Sequence, residues 1–568
     1  MATAGCGSPP PSDSTPAAEA PAAPASGGST APTVWFEDVT EGTGLDFRHR
    51  HGGSGRRYMV ETMGFGGGLV DLNGDSKLDI VLLQGQPLPG HSDARPQRDS
   101  IWRDSVWLNV GDGKFRDVTD EVLHAEPGYS MGMCAGDFDE DGDSDLVITR
   151  FGEDRLLLNT DGRLEDATAG SGLDNPAWAT SCALADFNRD GCLDLAVVNY
   201  VDFTLATHRE CSEAGLVAYC HPDAYGGVPD KLYAGRCDGT FEDVSRQAGI
   251  AVQDSSESKG LGVLWTDFDD DGWIDLYVSN DSTRNFLWRN RGDGTFEDVG
   301  VGVGAAFNEA GVTEAGMGVD AGDVDRDGRL DLYVANLDLE TNTLYRQFDA
   351  GIFEDATRPS GLAAPSHEKV GFGVELFDAD LDGDLDLYVA NGHIIDNVAE
   401  MRATASFAQT DQLFVNHRGS FKPVSNPGPW FDQLRVSRSV AAGDLDGDGD
   451  QDLLITTCNE QPAVLFNRIA DGRPAVVLDL SLPSGRVAVG ARATLVDDRG
   501  VRHVEEARAG SGYLSQGGPQ LHFGLPDGVG VQELIVRWPD GTEETVPGVQ
   551  PASGWVTLIK PKSIKPTP

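Results

Sequence analysis

The 568-residue chain is predicted to be all-β: a seven-bladed β-propeller closed by its own N-terminal strand and followed by a small β-rich domain. Three observations predict this. An aspartate-rich loop recurs seven times, a glycine turn leading into an F-x-D strand recurs beside it, and the order of the two leaves an unpaired strand at each end of the array.

The loop follows the template D-x-[DN]-x-D-x-x-x-D. It occurs as DLNGDSKLD from Asp71, DFDEDGDSD from Asp137, DFNRDGCLD from Asp186, DFDDDGWID from Asp267, DVDRDGRLD from Asp323, DADLDGDLD from Asp378 and DLDGDGDQD from Asp444. The 373 residues from Asp71 to Asp444 hold six intervals, a period of about 62 that marks a repeat architecture. Oxygen ligands at positions one, three and five, a glycine for the sharp turn and a carbonyl at position seven make a Ca²⁺ loop in the style of the EF-hand. Position twelve is Ile148 or Val278 where an EF-hand has glutamate, so the closing carboxylate is expected at position nine. The candidate ligands are Asp71, Asn73, Asp75 and Asp79; Asp137, Asp139, Asp141 and Asp145; Asp186, Asn188, Asp190 and Asp194; Asp267, Asp269, Asp271 and Asp275; Asp323, Asp325, Asp327 and Asp331; Asp378, Asp380, Asp382 and Asp386; and Asp444, Asp446, Asp448 and Asp452. Up to seven ions are expected. The first loop is expected to be the weakest, because Ser76 stands where the turn favours a glycine, and Asn73 and Asn188 lower the ligand charge of loops one and three.

Runs such as LVITR and LYVSN follow the loops and read as strands, so each loop joins two strands, A and B. A third strand, C, ends in WLN, LLN, LWRN or LFVN. A turn such as GDGKF or GDGTF then leads into strand D, which begins at Phe36, Phe115, Leu164, Phe241, Phe296, Phe353 and Phe421. The chain thus starts on a D strand and ends its array on a C strand near Leu465. The first segment is expected to complete the last blade, which removes an open edge.

Because successive strands reverse, the A-to-B loops and C-to-D turns share one face, and the B-to-C and D-to-A connections share the other. The long insertions 84–105, 199–230 and 392–411 all follow a B strand, so they gather opposite the metal loops. Binding residues on propellers sit on such loops. Trp102, His208, Tyr219, His221, Tyr225 and His393 are therefore the candidate ligand face.

With 92 acidic and 43 basic residues the net charge is -49, which argues against nucleic acid or an anionic membrane as partner. No apolar run is long enough to span a bilayer. The eight cysteines form no CxxC pair. Cys211 and Cys220 are expected as a disulfide, while Cys134, Cys182, Cys192 and Cys458 read as small core or strand-edge residues. Residues 1–33 are a Pro/Ala/Ser linker that cannot bury a core. Thr3-Ala4-Gly5-Cys6 resembles the end of a bacterial lipoprotein signal, with Met1 read as a misplaced start and Cys6 as the lipidated residue; the alternative is a disordered tail.

These residues carry a resemblance to the FG-GAP/VCBS calcium propellers, integrin-α-like in fold, and specifically to the cartilage acidic protein family with its ASPIC/UnbV domain. The resemblance rests on GLDFRHRHG, VETMGFGGGLVDLNGD, AYCHPDAY and NGHIIDN in the propeller, 34–470, and on VGARATLVDDRGVRHVEEARAGSGYLSQ and LIVRWPDG in the C-terminal domain, 471–561, which a tail, 562–568, follows. It implies Ca²⁺ at the loops and leaves the activity open, since the family mixes extracellular matrix proteins, bacterial surface proteins and an accessory of enediyne biosynthesis.

Other motifs read as structure. GYSMG, 128–132, matches a nucleophile elbow, but aligns with the A strands of other blades instead of a strand-to-helix turn. Arg291-Gly292-Asp293 lies in a C-to-D turn. His49 and His51 form H-x-H, a metal-binding pair or a strand face. The repeated carboxylates argue for structure over acid-base catalysis, which needs one site with perturbed environments.

The expected function is that of a non-enzymatic, calcium-stabilised binding or adhesion protein presenting the insertion face to a protein or glycan, secreted or lipid-anchored at the surface of a bacterium. The alternative is an enzyme or biosynthetic accessory protein with a small substrate. A deep pocket with convergent His, Asp or Arg favours the second, and a broad shallow face the first.

Overall fold

The computed structural model describes residues 34–91, 100–251, 255–470, 473, 475–526, 528–549 and 555–561; the linker with Cys6 lies outside them. Seven antiparallel sheets, each built of four repeat strands, are arranged about a centre. Their inner strands are Gly67–Val70, Ser130–Gly136, Ala179–Ala185, Gly260–Thr266, Val319–Gly322, Gly371–Phe377 and Ser437–Gly443. Each lies beside the next, and the last beside the first. Phe36–Asp38 is the outer strand of the last sheet, pairing with Ala463–Asn467 so that Phe36 faces Asn467. The ring is closed by its N-terminus.

Burial explains the composition of the strands. The inner strands face other sheets on both sides and are buried almost throughout, so they read as runs of Gly, Ala, Ser and Val. The outer strands touch only a neighbouring sheet, and Lys114–Asp117 buries Phe115 alone. That phenylalanine position joins blades. Phe138, Phe187 and Phe268, each second in its metal loop, pack on Phe241, Phe296 and Phe353 of the next sheet at ring distances of 5.3, 5.5 and 6.1 Å.

The C-strand asparagine joins blades in the other direction. Asn159, Asn290, Asn416 and Asn467 donate through Nδ2 to the carbonyls of Leu72, Phe187, Val324 and Ala379 in the preceding blade's loop, at 2.7–2.9 Å. Their backbone N–H groups donate to the position-nine carboxylates, as Asn290 does to Asp275 at 2.7 Å. These bonds satisfy groups that burial would otherwise leave unpaired.

The cysteines correct one expectation. Cys211 and Cys220 are bonded, but so are Cys134 with Cys182 and Cys192 with Cys237. Cys134 and Cys182 lie on neighbouring inner strands. Cys192 in metal loop three meets Cys237 in the C-to-D turn of its own blade, so loop and turn share a face. Among the described cysteines only Cys458 is free, and it is buried.

After the propeller, Ala475–Ser481 lies between Leu521–Gly524 and Trp555–Ile559, while Arg492–Asp497 lies between Arg502–Glu506 and Val531–Arg537. Leu478, Leu495, Leu534 and Val536 fill the core of these two sheets. Between the strands 502–506 and 521–524 the chain leaves this core and enters the propeller hub. Ser515 and Gln516 add a parallel strand beside Gly67 and Gly68. Gly512 exchanges hydrogen bonds with Val319, and Tyr513, wholly buried, donates to the Met63 carbonyl at 3.0 Å and packs on Phe372 at 5.0 Å. Glycine lets the two backbones approach: a Cβ on Gly66 would lie 1.7 Å from the Leu514 oxygen.

Candidate functional site

The repeated loops form one group of sites. In all seven, one oxygen of the position-one aspartate accepts the position-six N–H, at 3.2 Å from Gly142 and 2.7 Å from Ser76 for example. In five loops three carboxylates then converge so that their oxygens lie within 4.8 Å of one another: Asp137, Asp139 and Asp145; Asp267, Asp269 and Asp271; Asp323, Asp325 and Asp327; Asp378, Asp380 and Asp382; Asp444, Asp446 and Asp452. Buried oxygens of Asp137, Asp267, Asp325 and Asp380 have no hydrogen-bond partner. Unpaired buried carboxylates are costly, and an all-oxygen set fits a hard divalent cation. Burial and three neighbouring carboxylates push Asp450, in loop seven, up to about 9.

The two remaining loops differ in chemistry. In loop one the Lys77 ammonium lies 2.7 Å from Asp75, and Ser76 has the left-handed φ of 64°. In loop three Asn188 donates to Asp190 at 3.0 Å. The position-nine aspartates are fully buried and mostly occupied: Asp275 accepts from Asn290 and, at 3.2 Å, from Phe268. Asp386 differs, since one of its oxygens has no partner. The sequence pattern placed positive φ at position six alone, yet position four also takes it, in Glu140, Arg189, Asp270, Arg326 and Leu381, at φ of 54–59°.

The C-terminal sheets rest on this face. Arg537 pairs with Asp267, and lies 2.8 Å from Asp270; the Arg492 guanidinium donates to the Asp267 carbonyl at 3.1 Å, and Arg486 to the Gly191 carbonyl at 2.6 Å. Asp267 therefore holds an arginine with one oxygen and presents the other, unpartnered, to its cluster.

The opposite face carries a cavity of 810 Å³. Its walls come from D-to-A connections, with Met59, Met63 and Met317, and from B-to-C connections, with Tyr219, Asp281, Leu337 and His393. Leu261 and Phe372 on inner strands line its inner end. These residues share one apolar cluster with Tyr513 and Leu514, so the inserted finger packs directly behind the lining. The cystine hairpin Cys211–Ala218 contributes to the rim.

Three polar side chains, His393, Asp338 and Arg402, meet in the cavity, and Asp281 also lines it. His393 is 2 % exposed; its Nδ1 accepts from the Ile395 N–H at 2.9 Å, and its Nε2 has no hydrogen-bond partner, with an Asp338 oxygen 3.5 Å away. The other Asp338 oxygen pairs with Arg402. Asp281 is held by the Tyr200 hydroxyl and by Ser282 at 2.9 Å.

Of the six residues placed on the ligand face, Tyr219, His221 and His393 line this cavity. Trp102 is buried against His91, His208 packs on Tyr58 at 4.6 Å, and Tyr225 packs on Phe203. Asp338 and Arg402 were not foreseen. Asp338 comes from a short connection that no insertion marked.

The other motifs are structural in place. Ser130 is on an inner strand, donating to Asp104 at 2.8 Å. Asp293 accepts from the Thr295 N–H across its turn at 3.0 Å. His49 stacks on Phe65 at 3.6 Å, and the Nδ1 atoms of His49 and His51 each accept a backbone N–H.

Among the described residues no helix is long and apolar enough to cross a membrane. Residues 482–563 match the family model described as ASPIC and UnbV; residues 71–148, 137–197, 267–334 and 323–389 match the FG-GAP-like repeat, and 437–460 the FG-GAP repeat. Cartilage acidic protein 1 of Homo sapiens is 27 % identical over 309 residues, 53 % of this chain and 43 % of that protein; its Xenopus tropicalis counterpart is 28 % identical over 284 residues, 47 % and 40 %. The match thus spans less than half the length of these relatives. Among solved structures, an Agrocybe aegerita lectin recognising terminal N-acetylglucosamine aligns at TM-score 0.37 and 13 % identity, over 65 % of this chain and 93 % of that one. A BBS1 fragment in complex with ARL6 aligns at 0.39 and 11 %, over 77 % and 96 %. With FG-GAP repeats around the ring and an ASPIC and UnbV domain C-terminal to them, the chain is an FG-GAP repeat protein related to cartilage acidic protein 1.

Proposed function

We propose that this is a calcium-stabilised binding protein of the extracytoplasmic space, secreted or lipid-anchored, that takes its ligand in the cavity of the insertion face. The observation that carries the reading is the division of labour between faces: the carboxylate clusters and the C-terminal sheets occupy one, and the cavity opens on the other. Calcium is the hard divalent cation that all-oxygen, carboxylate-rich loops take, and weak loops of this kind fill where it is near millimolar, outside the cytoplasm. Three disulfides agree with an oxidising compartment.

The cavity shifts the reading from a broad protein- or glycan-binding surface towards a ligand that enters the fold. A deep pocket with convergent His393, Asp338 and Arg402 is the feature that favours the second reading, an enzyme or biosynthetic accessory with a small substrate, over a broad shallow binding face. The test is a binding screen of the full chain against small molecules, glycans and surface proteins, with and without 1 mM Ca²⁺, repeated with Leu337→Trp to fill the cavity. Hits lost in that variant support the reading; hits indifferent to it refute it. Turnover of a hit, lost in His393→Gln, would establish the enzyme instead.

A further inference from the structure

Resting on that reading, we infer that the cavity selects a small, uncharged, largely apolar molecule bearing a hydroxyl group, a phenol or an alicyclic alcohol. Four methionines, three leucines, two isoleucines and Phe372 give the cavity an apolar wall beside its polar groups. Such walls contribute affinity through burial of apolar area.

The polar groups define the rest of the ligand. Because Nδ1 of His393 accepts a backbone N–H, the proton of the neutral ring is on Nε2, which is therefore a donor aimed at no protein acceptor within hydrogen-bond distance. The neighbouring Asp338 oxygen is an acceptor at 3.5 Å from that nitrogen, too far to satisfy it. A hydroxyl seated beside both accepts from His393 and donates to Asp338. A carbonyl satisfies only the first, and an ammonium group only the second. An anion is disfavoured: the Arg402 guanidinium is already bound to Asp338, and the Asp281 and Glu213 carboxylates, with no cationic partner among the described residues, also line the cavity.

The probes are 2-naphthol, 2-methylnaphthalene and naphthalene-2-sulfonate, titrated into the full chain in 1 mM Ca²⁺ and followed by calorimetry. The expected result is one saturable site for 2-naphthol, with the methyl compound and the sulfonate each about tenfold weaker or worse, the difference made by one hydrogen-bonded group. His393→Phe should remove the preference for the hydroxyl while leaving 2-methylnaphthalene bound. Leu337→Trp, or Ile394→Trp if the first variant melts early, should abolish both. Equal binding of naphthol and methylnaphthalene, preference for the sulfonate, no saturable site, or binding unchanged in both tryptophan variants overturns the inference. If the naphthols fail but a hit of the general screen is lost in Leu337→Trp, the ligand class falls and the binding function stands; if that hit is also indifferent, both fall.

Discussion

Replacing Tyr513 with alanine tests whether the C-terminal finger is part of the propeller core. The side chain is fully buried, packs on Phe372 at 5.0 Å and donates to the Met63 carbonyl at 3.0 Å, so three stretches of chain lose a shared contact. Deleting a buried aromatic ring costs about 3–5 kcal/mol. Leaving the Met63 carbonyl without its donor adds about 1 kcal/mol. The expected loss is therefore about 5 kcal/mol, against about 1 kcal/mol for Tyr513→Phe, which keeps the ring and removes only the hydroxyl. Urea unfolding in 1 mM Ca²⁺, followed by tryptophan fluorescence and by far-ultraviolet circular dichroism, measures both. The wild type should unfold with the two probes coincident, since the finger ties the C-terminal sheets to the hub. A loss below about 1 kcal/mol for Tyr513→Ala would refute the view that the finger fills the hub.

Chelation with EDTA should lower the melting temperature markedly, each filled loop contributing about 1 kcal/mol at 1 mM Ca²⁺ if its affinity is that of extracellular modules; an unchanged calorimetric melting curve in chelator would count against structural calcium. Ser76→Gly should stabilise the protein by about 1 kcal/mol, because Ser76 is held at φ 64° where an L side chain is strained, and a denaturant midpoint that fails to rise would contradict this. Burial drives His522 down to about 4, below its unfolded value of 6.5. Its contribution is therefore present above pH 6.5 and lost as the pH falls towards 4, about 3 kcal/mol in all. His522→Gln should flatten the decline in stability between pH 7 and 5 relative to the wild type, measured by urea unfolding at each pH.

The ring was legible because its signals repeat. Loops such as Asp267 to Asp275, and strands such as Phe296–Asp298, occur once per blade, and their order alone predicts that Phe36 completes the last sheet. Lys77 beside Asp75 and Asn188 at the ligand position mark the two loops without a three-carboxylate cluster. What occurs once was not legible. Cys134 and Cys182 are 48 residues apart, and only the neighbouring of two inner strands brings them together. GSGYLSQ carries no period, and its role follows from glycines in the propeller that make room for it. His393 was legible because length flags its B-to-C loop. Asp338 was not, since its connection is short, and Trp102, also in a long insertion, anchors its own loop instead of facing the cavity.

The closure of the ring by its first strand sets a timetable. Phe36 must wait for Asn467, a partner 431 residues later, and at about 5–20 residues per second that is roughly 20 to 90 s of synthesis. For that interval the strand has an unpaired edge, and the finger that fills the hub emerges later still. The same unclaimed edge gives two crowded chains an opening to exchange first strands.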